Sequence, residues 1–220
     1  MALLVANHFR RRLTGFTISS TPSFSSAEEI AWYRQALQAC SHYIEYGSGG
    51  STVLAAQLQK PFTSTESDPA FFKALQSRLR LYENQDVPQL CRLVDIGPVT
   101  HCSYPLYPAR FLSASKKSSW RSYSDFPELG IDVDASSLLI LVDGRFRVAC
   151  ALKAMVALQG VFGWTMAMDD YLGRPHYHAI EEWITPSFFI GRIAVFTWPL
   201  SGLDIAAMHA AIAHYELDAR

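Results

Sequence analysis

The sequence has no closely spaced cysteine pairs, no internal repeat, no long apolar run and no excess of either charge. Its four cysteines, Cys40, Cys91, Cys102 and Cys150, are scattered. That spacing excludes a CxxC zinc site and a dense disulfide framework, and predicts reduced thiols in a cytoplasmic setting. No apolar stretch reaches the length needed to span a bilayer. Met1 to Arg12 carries its positive charges after a very short apolar start, the reverse of a secretory signal. Nineteen basic residues against twenty acidic ones leave a formal charge of −1, without the positive surplus that general binding to phosphate backbones needs. Two basic groups, Arg10, Arg11 and Arg12 and then Lys116, Lys117 and Arg121, read as solvated surface. The expected partner is a small molecule rather than nucleic acid or membrane.

What is present is apolar material: 50% of 220 residues are hydrophobic, enough for one domain core. Ser25 and Ser26 stand three residues ahead of glutamates and just before Ile30, Tyr33 and Leu37. This capping pattern predicts a helix over 27–39, part of an N-terminal extension over 1–40. Short apolar or β-branched runs follow at 43–46, 62–66, 90–96, 138–143 and 164–169, alternating with helical patterns at 51–59, 69–82, 146–158 and 177–183. Such alternation predicts an α/β fold with a doubly wound, mostly parallel, Rossmann-like sheet and helices on both faces. The runs 185–190 and 192–198 are separated only by Gly191. A connection that short makes them antiparallel neighbours, so a β-hairpin should close the sheet. Residues 97–137 show little regular pattern and hold Pro98, Pro105, Pro108 and Pro127 among Tyr104, Tyr107, Trp120 and Tyr123. An insertion of this kind predicts a lid or a substrate wall.

The densest chemical signal is Tyr43-Ile44-Glu45-Tyr46-Gly47-Ser48-Gly49-Gly50-Ser51-Thr52. A strand ends in a carboxylate and passes through glycines into a helix whose N-terminus offers free N–H groups. The alternative is an ordinary strand-to-helix turn. A dinucleotide site is a second alternative, because Glu66 stands at a suitable distance, although Thr52 occupies the third glycine position of that fingerprint. The second strand ends at Glu66, whose two oxygens suit vicinal hydroxyls. Asp68 reads as the cap of the helix at Pro69. Asp95 closes the third strand, Asp143-Gly144 the fourth and Asp169-Asp170 the fifth. In doubly wound sheets that carboxyl edge is where ligands bind.

Glu45, Gly47 and Gly49, with Ser51 where a third glycine is common, resemble the first motif of the class I S-adenosylmethionine-dependent methyltransferases. The resemblance implies S-adenosylmethionine as cofactor. It places Glu45, Gly47, Ser48, Gly49 and Ser51 at the methionine part, Glu66 on the ribose hydroxyls and Asp95 at the adenine edge. Asp143-Gly144 followed by Asp169-Asp170-Tyr171 looks like the catechol O-methyltransferase-like branch and its bacterial relatives. By that likeness Asp143, Asp169 and Asp170 would hold Mg2+ or another divalent cation, and methyl transfer would go to oxygen on a small-molecule acceptor. The branch often has a lysine or histidine after the strand-end aspartate, whereas here Arg145, Phe146 and Arg147 follow. Asp143, Asp169 and His176 are then the catalytic candidates, with His178 as alternative base. The arginines would otherwise bind an anionic group on the substrate, and the three carboxylates would otherwise pair with Arg145, Arg147 or Arg174. Two other functions remain open: a cofactor-binding protein that has lost catalysis, and a nicotinamide-dependent oxidoreductase.

Overall fold

A computed structural model of the chain describes residues 12, 14–128, 137–197 and 202–220. Arg10, Arg11 and the Trp198 end of the last expected strand lie outside them.

Ser26 accepts from the Glu29 backbone N–H, and the Glu29 carboxylate returns to the Ser26 N–H at 2.9 Å. That capping box starts helix α1 (Ala27–Ala39), as the serine-glutamate spacing requires. The chain continues through β1 (His42–Tyr46), α2 (Gly50–Gln57), β2 (Phe62–Glu66), α3 (Pro69–Leu79) and β3 (Gln89–Leu93). Asp68 accepts from Ala70 and Phe71 N–H ahead of Pro69, which accounts for the start of α3. Then come α4 (Ala114–Tyr123), β4 (Leu138–Val142), α5 (Arg147–Ala157) and β5 (Trp164–Met168). A 3-10 segment over Pro175–Glu182 leads to β6 (Phe188–Ile190), β7 (Ile193–Thr197) and α6 (Ile205–Tyr215).

The seven strands form one sheet in the order β3-β2-β1-β4-β5-β7-β6. The first five run parallel, β7 pairs antiparallel with β5, and β6 pairs antiparallel with β7 at the edge. The doubly wound sheet closed by a hairpin is therefore present. β1, β2 and β4 are buried at every position, because helices cover both faces of a parallel sheet. Alternate residues divide between two cores. Ile44, Tyr46, Ile140 and Val142 meet α5, α6, Trp120 and Tyr123 on one face. Tyr43, Leu139 and Leu141 meet Tyr33 and Leu37 of α1 and Leu54 to Ala56 of α2 on the other. In register, Tyr46 pairs with both Thr65 and Val142. The carboxyl ends of β1, β2 and β4 consequently lie side by side.

Three regions depart from expectation. The stretch 97–137 is not irregular throughout. Ser113 accepts from the Lys116 N–H to start α4, and Trp120 and Tyr123, one helical turn apart, are buried in the core. The Trp120 indole N–H donates to the Ile96 carbonyl at 2.7 Å. Aromatic spacing, not helix propensity, was the signal in a segment so rich in serine and lysine. The structure describes this stretch as far as residue 128 and again at 137. Helix α6 has its own pattern, with Asp204 capping the Ala207 N–H at 2.9 Å and Met208 and Ile212 buried. It packs on α5 beyond the hairpin. The expected 177–183 helix is the 3-10 segment instead.

Because Trp120 is core, Trp120→Ala should cost about 3–5 kcal/mol. Denaturant unfolding measures this, and a loss below about 1 kcal/mol would mean that α4 is only a cover. Amides of α4 should be protected from exchange without any ligand, while those of the loop over 104–112 exchange faster.

Candidate functional site

The β1–α2 loop is built around one buried carboxylate. Glu45 is fully buried, and its oxygens accept from the hydroxyls of Ser51 and Thr52 at the start of α2 and of Ser64 on β2. Burial pushes its pKa up, and these three donors pull it back. The Thr52 hydroxyl also accepts from the Gly49 N–H at 2.8 Å, and Ser48 bonds Ser64 at 2.6 Å. Ser51 and Thr52, where glycines are common, thus anchor the strand-end acid to the helix.

Gly47 has φ of +99°, and a Cβ there would sit 2.5 Å from the Gly144 backbone. Gly144 in turn has the Tyr123 hydroxyl 2.1 Å from where its own Cβ would be. The Asp143-Gly144 pair therefore owes its glycine to close packing of the β4 end against the β1 loop. At Gly49 a Cβ would meet nothing within 4 Å. Space lies open on that side of the loop.

Glu66, at the end of β2, is 4% exposed. Its Oε1 accepts from the Ser67 and Asp68 backbone N–H groups at 2.6 and 2.8 Å and from two serine hydroxyls at 3.4 Å. Among the described residues every hydrogen bond to this carboxylate falls on Oε1, which leaves Oε2 for a further donor. Burial pushes its pKa up to about 7 against those backbone donors. Asp95 lies just beyond β3, largely exposed, accepting from its own turn at Gly97 N–H and pairing with Lys116 at 3.3 Å. These two bonds account for the carboxylate without a ligand.

The strand-end aspartates are brought together, but with arginines between them. Arg147, 2% exposed, donates to the backbone carbonyls of Asp143, Gly144 and Asp169 and to the Asp143 carboxylate at 3.0 Å. It ties the end of β4 to the end of β5. Arg192, in the β6–β7 turn, grips Asp169 through Nε and Nη2 at 3.0 and 3.1 Å. Asp170, at φ of +60°, pairs with Arg174 at 2.8 Å and with Arg192 at 3.1 Å. Burial and the two neighbouring aspartates push Asp143 up to about 7, against the pull of Arg147. Among the described residues no group of three or more histidine, cysteine or acidic side chains is arranged to hold a metal ion. A hard cation needs several free oxygens, and five of the six carboxylate oxygens of Asp143, Asp169 and Asp170 are paired with guanidinium donors. The donor set does not fit a divalent cation.

His178 stacks on Tyr171 at 4.7 Å and bonds its carbonyl, a packing role. His176 is half-buried with Nε2 unpartnered. Burial holds its pKa below the usual value, so it is neutral at pH 7. Sequence reasoning missed Arg192 and the second task of Glu29. The Glu29 carboxylate caps α1 through Oε2 and accepts the Arg192 N–H through Oε1 at 2.7 Å. Only the proximity of α1 to the hairpin turn reveals it.

No family model matches the chain, and no curated protein matches it. Among solved structures, a methyltransferase-like protein from Silicibacter pomeroyi is 29% identical, with a TM-score of 0.68 over 91% of this chain and 100% of that one. The Podospora anserina methyltransferase PaMTH1, bound to S-adenosylhomocysteine, is 13% identical, with a TM-score of 0.46 over 89% of this chain and 88% of that one. An O-methyltransferase from Bacillus cereus, also with S-adenosylhomocysteine, is 9% identical, with a TM-score of 0.45 over 89% and 91%.

Arg147→Met should lower stability by about 3–5 kcal/mol, because it strands a carboxylate and three carbonyls at the sheet edge. Chemical denaturation reads this, and an unchanged midpoint would mean that the arginine is not structural.

Proposed function

We propose that the chain uses the fold of the class I S-adenosylmethionine-dependent methyltransferases to move a methyl group to a small-molecule acceptor. The carrying observation is the pairing of the Gly47–Gly49 loop, open at Gly49, with Glu66 and its unengaged Oε2 on the adjacent strand end. A nucleoside cofactor has a ribose diol for the second and a charged tail for the first. A nicotinamide dinucleotide site is disfavoured by topology, since the usual dinucleotide sheet is parallel throughout its 3-2-1-4-5-6 order. Here an antiparallel hairpin closes the sheet instead.

When bound, S-adenosylmethionine supplies a methyl group on a sulfonium, which passes directly to a nucleophile. The protein's contribution is then to hold both partners in line. Gly47, Ser48, Gly49 and Ser51 shape the loop around the methionine part, with Glu45 fixing that loop from beneath. Glu66 takes the ribose hydroxyls, and Asp95 borders the adenine. Asp143 and Asp169 serve as arginine-held walls of the acceptor side. His176, neutral and with Nε2 unengaged, is the side chain suited to take a proton from the acceptor. Metal-assisted transfer is not part of this reading, because the aspartates are spoken for. With it goes the ground for choosing oxygen as the acceptor atom.

S-adenosylhomocysteine should bind and raise the melting temperature, as any ligand selective for the native state does. Gly49→Val should remove the shift by filling the open side of the loop. Absence of any shift in the wild type at millimolar ligand would sink the proposal.

The Glu66 carboxyl, protonated in the folded protein below about 7, must ionise to accept two ribose donors. Affinity should therefore rise with pH up to about 7 and level off above it, with uptake of ligand releasing close to one proton. Without ligand the sign is opposite. The raised pKa favours the folded state fully below the ordinary value of 4.5, and this contribution is lost as pH rises through about 7. Calorimetry in buffers of different ionisation enthalpy measures the proton. In Glu66→Gln the slope should vanish, and an undiminished slope would remove Glu66 from the ribose.

A further inference from the structure

Among the described residues, one buried cation at the carboxyl edge has no counter-charge. Arg147, Arg174 and Arg192 are matched by Asp143, Asp170 and Asp169 at 3.0, 2.8 and 3.0 Å. Arg145 is only 3% exposed and has no carboxylate partner among the described residues. Its Nη1 donates to the Ala219 carbonyl at 3.4 Å, and its Nε is buried without an acceptor. An uncompensated buried guanidinium is expensive.

The side chains around Arg145 are tyrosines and another arginine rather than carboxylates. Its guanidinium carbon lies 4.0 Å from the centre of the Tyr104 ring. The Tyr104 hydroxyl oxygen accepts from Arg174 Nη1 at 2.9 Å. The Tyr177 hydroxyl is fully buried and also unpartnered, and its ring lies 5.2 Å from the Arg147 guanidinium and 5.9 Å from that of Arg174. Burial would raise the Tyr104 pKa, yet Arg145 and Arg174 more than offset it and hold it below the ordinary value. The position of that hydroxyl therefore favours a negative oxygen.

Tyr104 is held there by a strained turn. Cys102 and Ser103, neither of them glycine, take φ of +53° and +56° in succession, a left-handed conformation that crowds the Cβ of an L-residue against its following carbonyl oxygen. Release of that strain lowers the cost of withdrawing the tyrosine. Arg145 directly follows Gly144, whose backbone packs on Gly47. The cluster thus borders the loop assigned to the cofactor.

We propose that the methyl acceptor carries a compact oxyanion, a carboxylate or a phosphate, which binds Arg145 and Arg174 in the place held by the Tyr104 hydroxyl, with Tyr177 as a further donor. The word acceptor rests on the methyltransferase reading, whereas the anion site itself does not. Arg145 lies too deep to reach solvent while Tyr104 covers it, so the loop must swing as the anion enters.

Calorimetric titration with sodium phosphate and with sodium acetate, in buffer free of other small anions, tests this. It is run on the protein alone and again with saturating S-adenosylhomocysteine. One of the two ions should saturate a single site at millimolar concentration in both conditions, and which ion binds tighter decides between phosphate and carboxylate. Arg174→Gln and Arg145→Gln should each weaken binding by about tenfold or more, the scale of a lost charge-assisted hydrogen bond. Tyr104→Ala should tighten it by removing the occupant. Variants are scored as folded when they keep the wild-type far-ultraviolet dichroism. Arg174, being partly exposed, covers the case in which the Arg145 variant fails to fold. No saturation by either ion, or no effect of Arg174→Gln, overturns the proposal. Loss of the anion site on adding S-adenosylhomocysteine also overturns it, since the arginines would then hold the cofactor's own carboxylate. If S-adenosylhomocysteine itself does not bind, the methyltransferase reading falls while the ligand-free titration still judges the anion site.

Discussion

The arrangement depends most on a carboxylate buried without a cation. Glu45 sits at the junction of β1, α2 and β2, where hydroxyls from Ser51, Thr52 and Ser64 donate to its carboxylate. Desolvating an acid costs several kcal/mol, and that cost is recovered only if all three elements keep their positions. The bonds therefore fix where α2 begins relative to β2, and hence the course of Gly47 to Gly50. Gly47 then meets Gly144 at backbone distance, which locks the β4 end to the same loop. A loop held by interlocking backbone would need little reorganisation if a ligand bound there.

Charge at the next two strand ends is handled by a different device. Where the sequence puts three aspartates within reach of each other, the fold inserts Arg147 between β4 and β5 and brings Arg192 from the hairpin turn. Arg147 also bonds three backbone carbonyls, which a metal could not do from the same place. Guanidinium geometry allows this because it offers five donors in a plane. The consequence is a rim of matched pairs with Arg145 left over. Its positive surplus borders the Gly47–Gly49 loop, because Gly144 packs on Gly47.

Much of this was legible along the chain because it depends on neighbours in sequence. The Ser26–Glu29 capping box, Asp68 before Pro69, and the fully apolar Leu138–Val142 run each report a local energy that tertiary contacts reinforce. The hairpin over 188–197 follows from the shortness of its connection at Gly191. The glycine loop and the acids at 45 and 66 were recognisable because a strand that delivers polar residues to a sheet edge has few other uses for them. Helix α4 was not legible by propensity, since its serines and lysines carry no helical preference strong enough to outweigh the surrounding prolines. Its burial comes from two aromatics that find a core made by other segments.

The sequence by itself determined the alternation of the strands with α1, α2, α3 and α5, the closing hairpin and the set of polar groups delivered to one edge, because backbone propensity, capping and side-chain periodicity act over a few residues. Tertiary structure alone decided what those groups do. Whether Asp143, Asp169 and Asp170 face a cation or arginines depends on Arg192, which is 23 residues from Asp169 along the chain and meets it only after β7 pairs with β5. Glu29 reaches the same turn across 163 residues, and Tyr104 reaches Arg174 across 70. Electrostatic pairing depends on distance in space and on burial, and neither is set until the sheet has closed.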